Sequence, residues 1–163
     1  MDLSTDLATI AEQERQLVFE HFNEDSAWTL GSNLRDWAAA GGHAVVIDVH
    51  AFGRCLFFAA TPGSTPDNVE WVRRKRGVVM RFHRSSYAVG LELALKGNTL
   101  ADPYGLNQAD YAAHGGGFPL RINGSGVVGC VTVSGLPQRE DHRAVVGALA
   151  TMLGIDTTLL ALD

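Results

Sequence analysis

A chain of 163 residues, 46% hydrophobic and 19% charged, has the composition of one globular domain able to bury roughly 70% of the surface its unfolded form exposes. Its net charge of −5 argues against a nucleic-acid binder that works by neutralising phosphates. No apolar run is long enough to span a membrane, and the opening Met1-Asp2-Leu3-Ser4-Thr5-Asp6 lacks the basic region of a secretory signal. A cytoplasmic protein, one domain over 1–163, with neither nucleic acid nor membrane as partner, is therefore expected.

In chain order, apolar residues at Leu7, Ile10, Leu17, Val18 and Phe22 predict an amphipathic helix over 4–22. Asn23-Glu24-Asp25-Ser26 breaks it and caps a second helix, about 27–40, whose apolar positions are Trp28, Leu34, Trp37 and Ala38. Together these make a helical N-terminal segment, 4–40. Val45–His50 and Arg54–Ala60 read as strands around an Ala51-Phe52-Gly53 hairpin. Thr65-Pro66-Asp67 starts a third helix, 66–83, because it combines a capping hydroxyl, a first-turn proline and an acid at the positive helix end. Gly77 weakens it, and at least a bend is expected between it and a further helix over 87–96; a short helix is expected at 107–113. Asn123-Gly124 predicts a hairpin turn. The strand Val127–Val133 that follows is apolar at nearly every position, so it should be central and covered on both faces. A last helix runs from about 137 to 153. Few strands, joined mostly as hairpins, give an α+β class: an antiparallel sheet packed with helices.

The third helix carries Arg73-Arg74-Lys75-Arg76. The three arginines read as a solvated face. Lys75 shares helical spacing with Trp71, Val78 and Phe82, so it is either a snorkelling side chain or a lysine aimed into a pocket. Gly115-Gly116-Gly117 is either a tight turn or a set of backbone N–H groups offered to an anion. It matches neither a phosphate loop nor a dinucleotide fingerprint. Ser134-Gly135 lacks the pattern of a nucleophile elbow. At the start of the last helix, Glu140 and Asp141 suit the helix dipole, and His142 there should be neutral and able to act as a ligand or base. No histidine or cysteine spacing signals zinc or covalent haem, so no metal is expected. Cys55 and Cys130 lie in apolar runs and read as two buried thiols.

Gly116-Gly117-Phe118-Pro119-Leu120, then a glycine-containing hairpin, then Val133-Ser134-Gly135 with Asp141 seven residues beyond the serine, resembles the haem-degrading domain family, which includes HbpS-like and GlcG-like proteins. Trp71-Val72-Arg73-Arg74-Lys75, Ser85-Ser86, the His114 to Pro119 run and Ser134-Gly135-Leu136-Pro137-Gln138 look like the uncharacterised branch of that family found in bacteria and fungi. The resemblance covers about residues 15–155. It implies a profilin-like domain, a homo-oligomer, and a ligand that is haem or another small molecule. Lys75 stands where the family has its helical lysine, and Asp141 where it has the helix-start acid. Val49-His50-Ala51-Phe52-Gly53 departs from the Val-Asp-x-x-Gly of haem-linked members.

The expected function is thus an oligomeric cytoplasmic small-molecule binder, for haem or a carboxylate-bearing compound, with no defined reaction. As an enzyme it would use His114 or His142 to ligate haem iron, or as an acid/base beside Lys75. The alternative is a non-enzymatic assembly or adaptor protein. An apolar-plugged space around Lys75 would favour the adaptor, and a polar pocket the binder. The predicted ligand site comprises Lys75, His114, Gly115–Gly117, Ser134, Gly135, Asp141 and His142. In the empty protein, Asp141 or a backbone carbonyl should hold the lysine, and Lys75→Met should cost little stability.

Overall fold

Turn chemistry builds the sheet. In the computed structural model, which describes residues 2–162, β1 (Val46–Ala51) and β2 (Arg54–Ala60) join through Phe52 and Gly53, with φ of 52° and 77°. β3 (Gly117–Ile122) and β4 (Gly126–Ser134) join through a turn that places Gly124 at φ 75°, which glycine reaches without the strain a Cβ adds. The hairpins meet through β1 and β4, giving one antiparallel sheet in the order β2-β1-β4-β3.

Helices cover both faces. α2 (Glu24–Ala40) and α5 (Gln138–Leu153) pack on one side, and α3 (Pro66–Phe82) lies across β1, β3 and β4 on the other. The main core interleaves Leu30 and Leu34 of α2 and Val145 and Leu149 of α5 with Ile47, Val49, Val131 and Val133 of the central strands. β4 is therefore apolar at nearly every position because it has helix on both sides. A satellite core forms where α1 (Leu3–Gln16) packs on α4 (Ser86–Lys96), around Ile10, Tyr87 and Leu91. The fold is α+β, in one domain.

Several boundaries differ from the sequence reading. The first helix ends at Gln16, not residue 22. Beyond it the chain is extended, and Phe19 makes a parallel bridge with Ile122, its N–H donating to the Arg121 carbonyl at 2.9 Å. Leu17, Phe19 and Phe22 still enter the core, so apolar spacing correctly marked burial but not helix. In α2 the buried stripe is Ala27, Leu30, Gly31, Leu34 and Ala38, while Trp28 is 65% exposed. The third helix continues through Gly77 and stops at His83, in the left-handed region at φ 54°, so the expected bend before the next helix falls there. Gly77 has another role, since a Cβ there would lie 2.9 Å from the Asp110 carbonyl. It lets residues 107–113 press on α3, and these form turns rather than the expected helix. That segment is held by Arg73 and Arg74 donating to the Ala109 and Gln108 carbonyls, and by the Ala112 N–H donating to the Arg74 carbonyl. Cys55 is exposed and only Cys130 is buried, where burial pushes its thiol up to about 12.

Candidate functional site: a buried lysine at the end of the central strand

Three elements converge where β4 ends. α3 brings Lys75, the turn after Ser134 brings the Gly135 and Leu136 amides, and the first turn of α5 brings Asp141. The Lys75 ammonium donates to Asp141 Oδ2 at 2.8 Å and to the Val133 carbonyl at 3.1 Å. Asp141 also accepts from the Leu136 N–H at 3.0 Å and the Gly135 N–H at 3.4 Å. Both side chains are buried, at 3% and 1% exposure. Burial lowers the lysine pKa and raises that of the aspartate, and the attraction between them opposes both shifts. The lysine is thus neither a snorkelling side chain nor a solvated one.

Glycine at 116 makes this approach possible. Its φ is +123°, and a Cβ there would meet the Val133 carbonyl at 2.3 Å and Lys75 Nζ at 2.9 Å. The glycine triplet walls the pair from behind, but it does not open as an anion cradle. The Gly115 N–H donates to Gln138 Oε1 at 3.2 Å and the Gly117 N–H to Ser86 Oγ at 3.0 Å.

In front of the ion pair lies a cleft of about 230 Å³ lined by Asn68, Trp71, Lys75, His114, Ser134, Gly135, Leu136, Gln138 and Asp141. His114 packs edge-on against Trp71 with ring centroids 5.2 Å apart. Burial first, then the nearby Lys75 and Arg74 charges, hold its pKa below the ordinary value, so the imidazole is neutral near pH 7. Trp71 also carries the Arg74 guanidinium over its ring at 4.2 Å. Of the predicted residues, Lys75, His114, Ser134, Gly135 and Asp141 come together here. Asn68, Trp71 and Gln138 join them without having been predicted. Asn68, Trp71 and Lys75 follow i, i+3, i+7 spacing on one helix, and that periodicity is the signal that could have found Asn68.

His142 does not belong to the cleft. One residue after Asp141 on a helix, its side chain turns about 100° away and into the core. It is fully buried between Tyr87 and Phe118, its Nε2 paired with Gln13 Oε1 at 2.8 Å and its Nδ1 without a partner among the described residues. Burial pushes its pKa down to about 3. Sealed there, it can neither ligate a bound group nor exchange protons with one in the cleft.

Two outcomes follow from this geometry. Contrary to the sequence expectation, Lys75→Met should cost about 3–5 kcal/mol in urea denaturation, because it strands a buried carboxylate; Lys75→Met with Asp141→Leu should recover most of that. A double variant no more stable than the single one would show that the pair is not the coupled unit. For His142, the unfolded state binds the proton near pH 6.5 and the folded state only near 3. Its contribution is therefore complete above about 6.5 and is lost as pH falls towards 3, by about 1.4 kcal/mol per unit in that window. Denaturation at stepped pH should show that slope, flattened in His142→Gln.

Comparison with known proteins places this geometry among relatives. A model of the family described as haem degrading protein, HbpS-like, matches residues 22–150. The chain is 57% identical over 156 residues to a UPF0303 protein of Acidobacterium capsulatum, covering 96% of this chain and 94% of the relative. It is 59% identical over 162 residues to a UPF0303 protein of Burkholderia thailandensis, covering 99% and 98%. Among solved structures, Ybr137w superposes with a TM-score of 0.84 at 28% identity, over 91% of this chain and 87% of that one. A PduOC–haem complex superposes with a TM-score of 0.66 at 18% identity, over 82% and 94%, which shows a shared fold.

Proposed function

We propose, from the premise that this chain belongs to the HbpS-like family of haem-degrading proteins, that it is a small-molecule-binding protein whose ligand presents a carboxylate to Lys75. One observation carries the reading: the ammonium has three N–H donors, and Asp141 and the Val133 carbonyl take two. The third is left for a ligand in the cleft. Because Asp141 is fixed by two backbone amides as well as by the lysine, a carboxylate would join this network rather than displace it. His114, neutral beside it, and Gln138 add polar groups that can orient the incoming group. The space around Lys75 is polar and open rather than plugged by apolar side chains, which supports a binder over an adaptor.

Haem itself does not fit inside this cleft. A volume of about 230 Å³ lies below the roughly 300–1,000 Å³ usual for drug-sized ligands, and Asn68, Gln138 and the Lys75–Asp141 pair share the walls with Trp71 and Leu136 rather than leaving an apolar slot. His114 is the one predicted histidine at the cleft that could face iron. The residues favour a compact carboxylate instead.

Calorimetry with a panel of small mono- and dicarboxylates should show saturable binding, weakened at least fivefold in His114→Ala and abolished in Lys75→Met with Asp141→Leu. No binding across the panel, or unchanged binding in the double variant, would overturn the proposal.

A homo-oligomer fits the same reading. β2 is an edge strand whose Phe58 is 50% exposed, and Trp28 stands on α2 with its ring against Phe57 of that strand. Light scattering should return a mass above the 17.5 kDa of one chain, and a mass equal to it at micromolar concentration would refute assembly.

A further inference from the structure

Arg73, Arg76 and Arg81 of α3 border a second cavity that shares no lining residue with the cleft. Arg73, Arg76, Gly77, Met80 and Arg81 follow i, i+3, i+4, i+7 and i+8 along α3, one stripe of the helix. Facing them, the hairpin end of the sheet and the 110–111 turn complete a groove of about 520 Å³, within the range of small-molecule sites. The sequence reading of these arginines as a solvated face holds for Arg73, whose side chain is exposed, but not for Arg76, which reaches a buried partner. Arg73 is held by Glu70, Asp110 and the Ala109 carbonyl, and Arg76 by the buried Asp48 at 2.5 Å.

Those three carboxylates neutralise and position two of the guanidiniums. Arg81 has no ion-pair or hydrogen-bond partner among the described residues, and Arg76 spends one of its five N–H donors on Asp48. Met80, Val128 and the Tyr111 ring give the groove apolar surface, and Asp110, already paired with Arg73, also lines it. Gly53, Gly77, Gly129 and Ala51 add little side-chain bulk to the rest of the lining. Gly129 is fixed by packing, since a Cβ there would meet the His50 carbonyl at 2.2 Å. His50 also lines this groove, its Nδ1 buried and unpartnered among the described residues.

We propose that this groove binds an anion with a flat apolar body, Arg76 and Arg81 taking the anionic group and Met80, Val128 and Tyr111 the body. A positioned guanidinium and an unpaired one lining the same groove suit the planar oxygens of a carboxylate or phosphate, and the small residues of the lining leave room for a ring system. The site is independent of the carboxylate cleft, so either can fail without the other.

Calorimetry with 1-naphthyl phosphate, 1-naphthoate and inorganic phosphate tests it. At least one naphthyl compound should bind saturably, one per chain, and the tighter of the two identifies the anionic group as phosphate or carboxylate. Inorganic phosphate, lacking the body, should bind at least tenfold more weakly. Arg81→Ala, a change at an exposed side chain that keeps the fold, should weaken naphthyl binding at least fivefold, whereas His114→Ala should leave it unchanged. No saturable binding to the wild-type protein at millimolar concentration would overturn the proposal. So would binding indifferent to Arg81→Ala, or binding lost in His114→Ala.

Discussion

A buried charge pair at the junction of three elements is the constraint on which the arrangement around β4 depends. Lys75 on α3 and Asp141 on α5 approach from opposite faces of the sheet and meet just beyond the strand end. Neither ion could be buried alone, because the desolvation cost of each is offset only by the other and by the backbone groups around them. The strand must therefore stop with the Val133 carbonyl turned to the lysine, and the chain must turn at Gly135 so that two consecutive amides reach the aspartate. Gly116 must then lack a side chain, since the ammonium and a strand carbonyl occupy the space a Cβ would need. A single electrostatic requirement thus fixes residues far apart in the chain.

The pair also sets the chemical character of the cleft. Burial alone would favour a neutral lysine and a neutral acid, and proximity favours the ions. Burial first, then the cationic side of this balance, keeps the neighbouring imidazole of His114 neutral. Groups with opposed tendencies, gathered in a partly open space, are an arrangement suited to recognising a polar ligand.

Much of this was legible in the sequence, for physical reasons that can be named. Turn and cap residues located the strands and helix starts because their backbone demands are local: Gly53, Gly124, Ser85 and Thr65 each sit where their conformations or hydrogen bonds are needed. Lys75 stood out because a charge on an apolar helical face has to be explained by a partner. Local signals failed where the decisive contact was distant. Leu17–Phe22 shows apolar spacing compatible with a helix, yet its backbone pairs with a strand far along the chain. The arginine run reads as a solvated face, yet Arg76 departs from it because the buried Asp48, contributed by another element, engages it. His142 shows the limit of proximity in sequence, since neighbours on a helix point in different directions, and adjacency to Asp141 placed it in the core.

The two borders of the sheet are not alike. Along β3, the extended segment carrying Phe19 donates to and accepts from the strand and its turn, so part of that row of peptide groups is already satisfied within the chain. Along β2 no strand among the described residues follows. Any additional strand therefore has one favoured place to add, and two copies joined there would turn their guarded borders outward. Growth through the sheet would then stop at a pair, which makes this edge asymmetry a built-in brake against open-ended stacking.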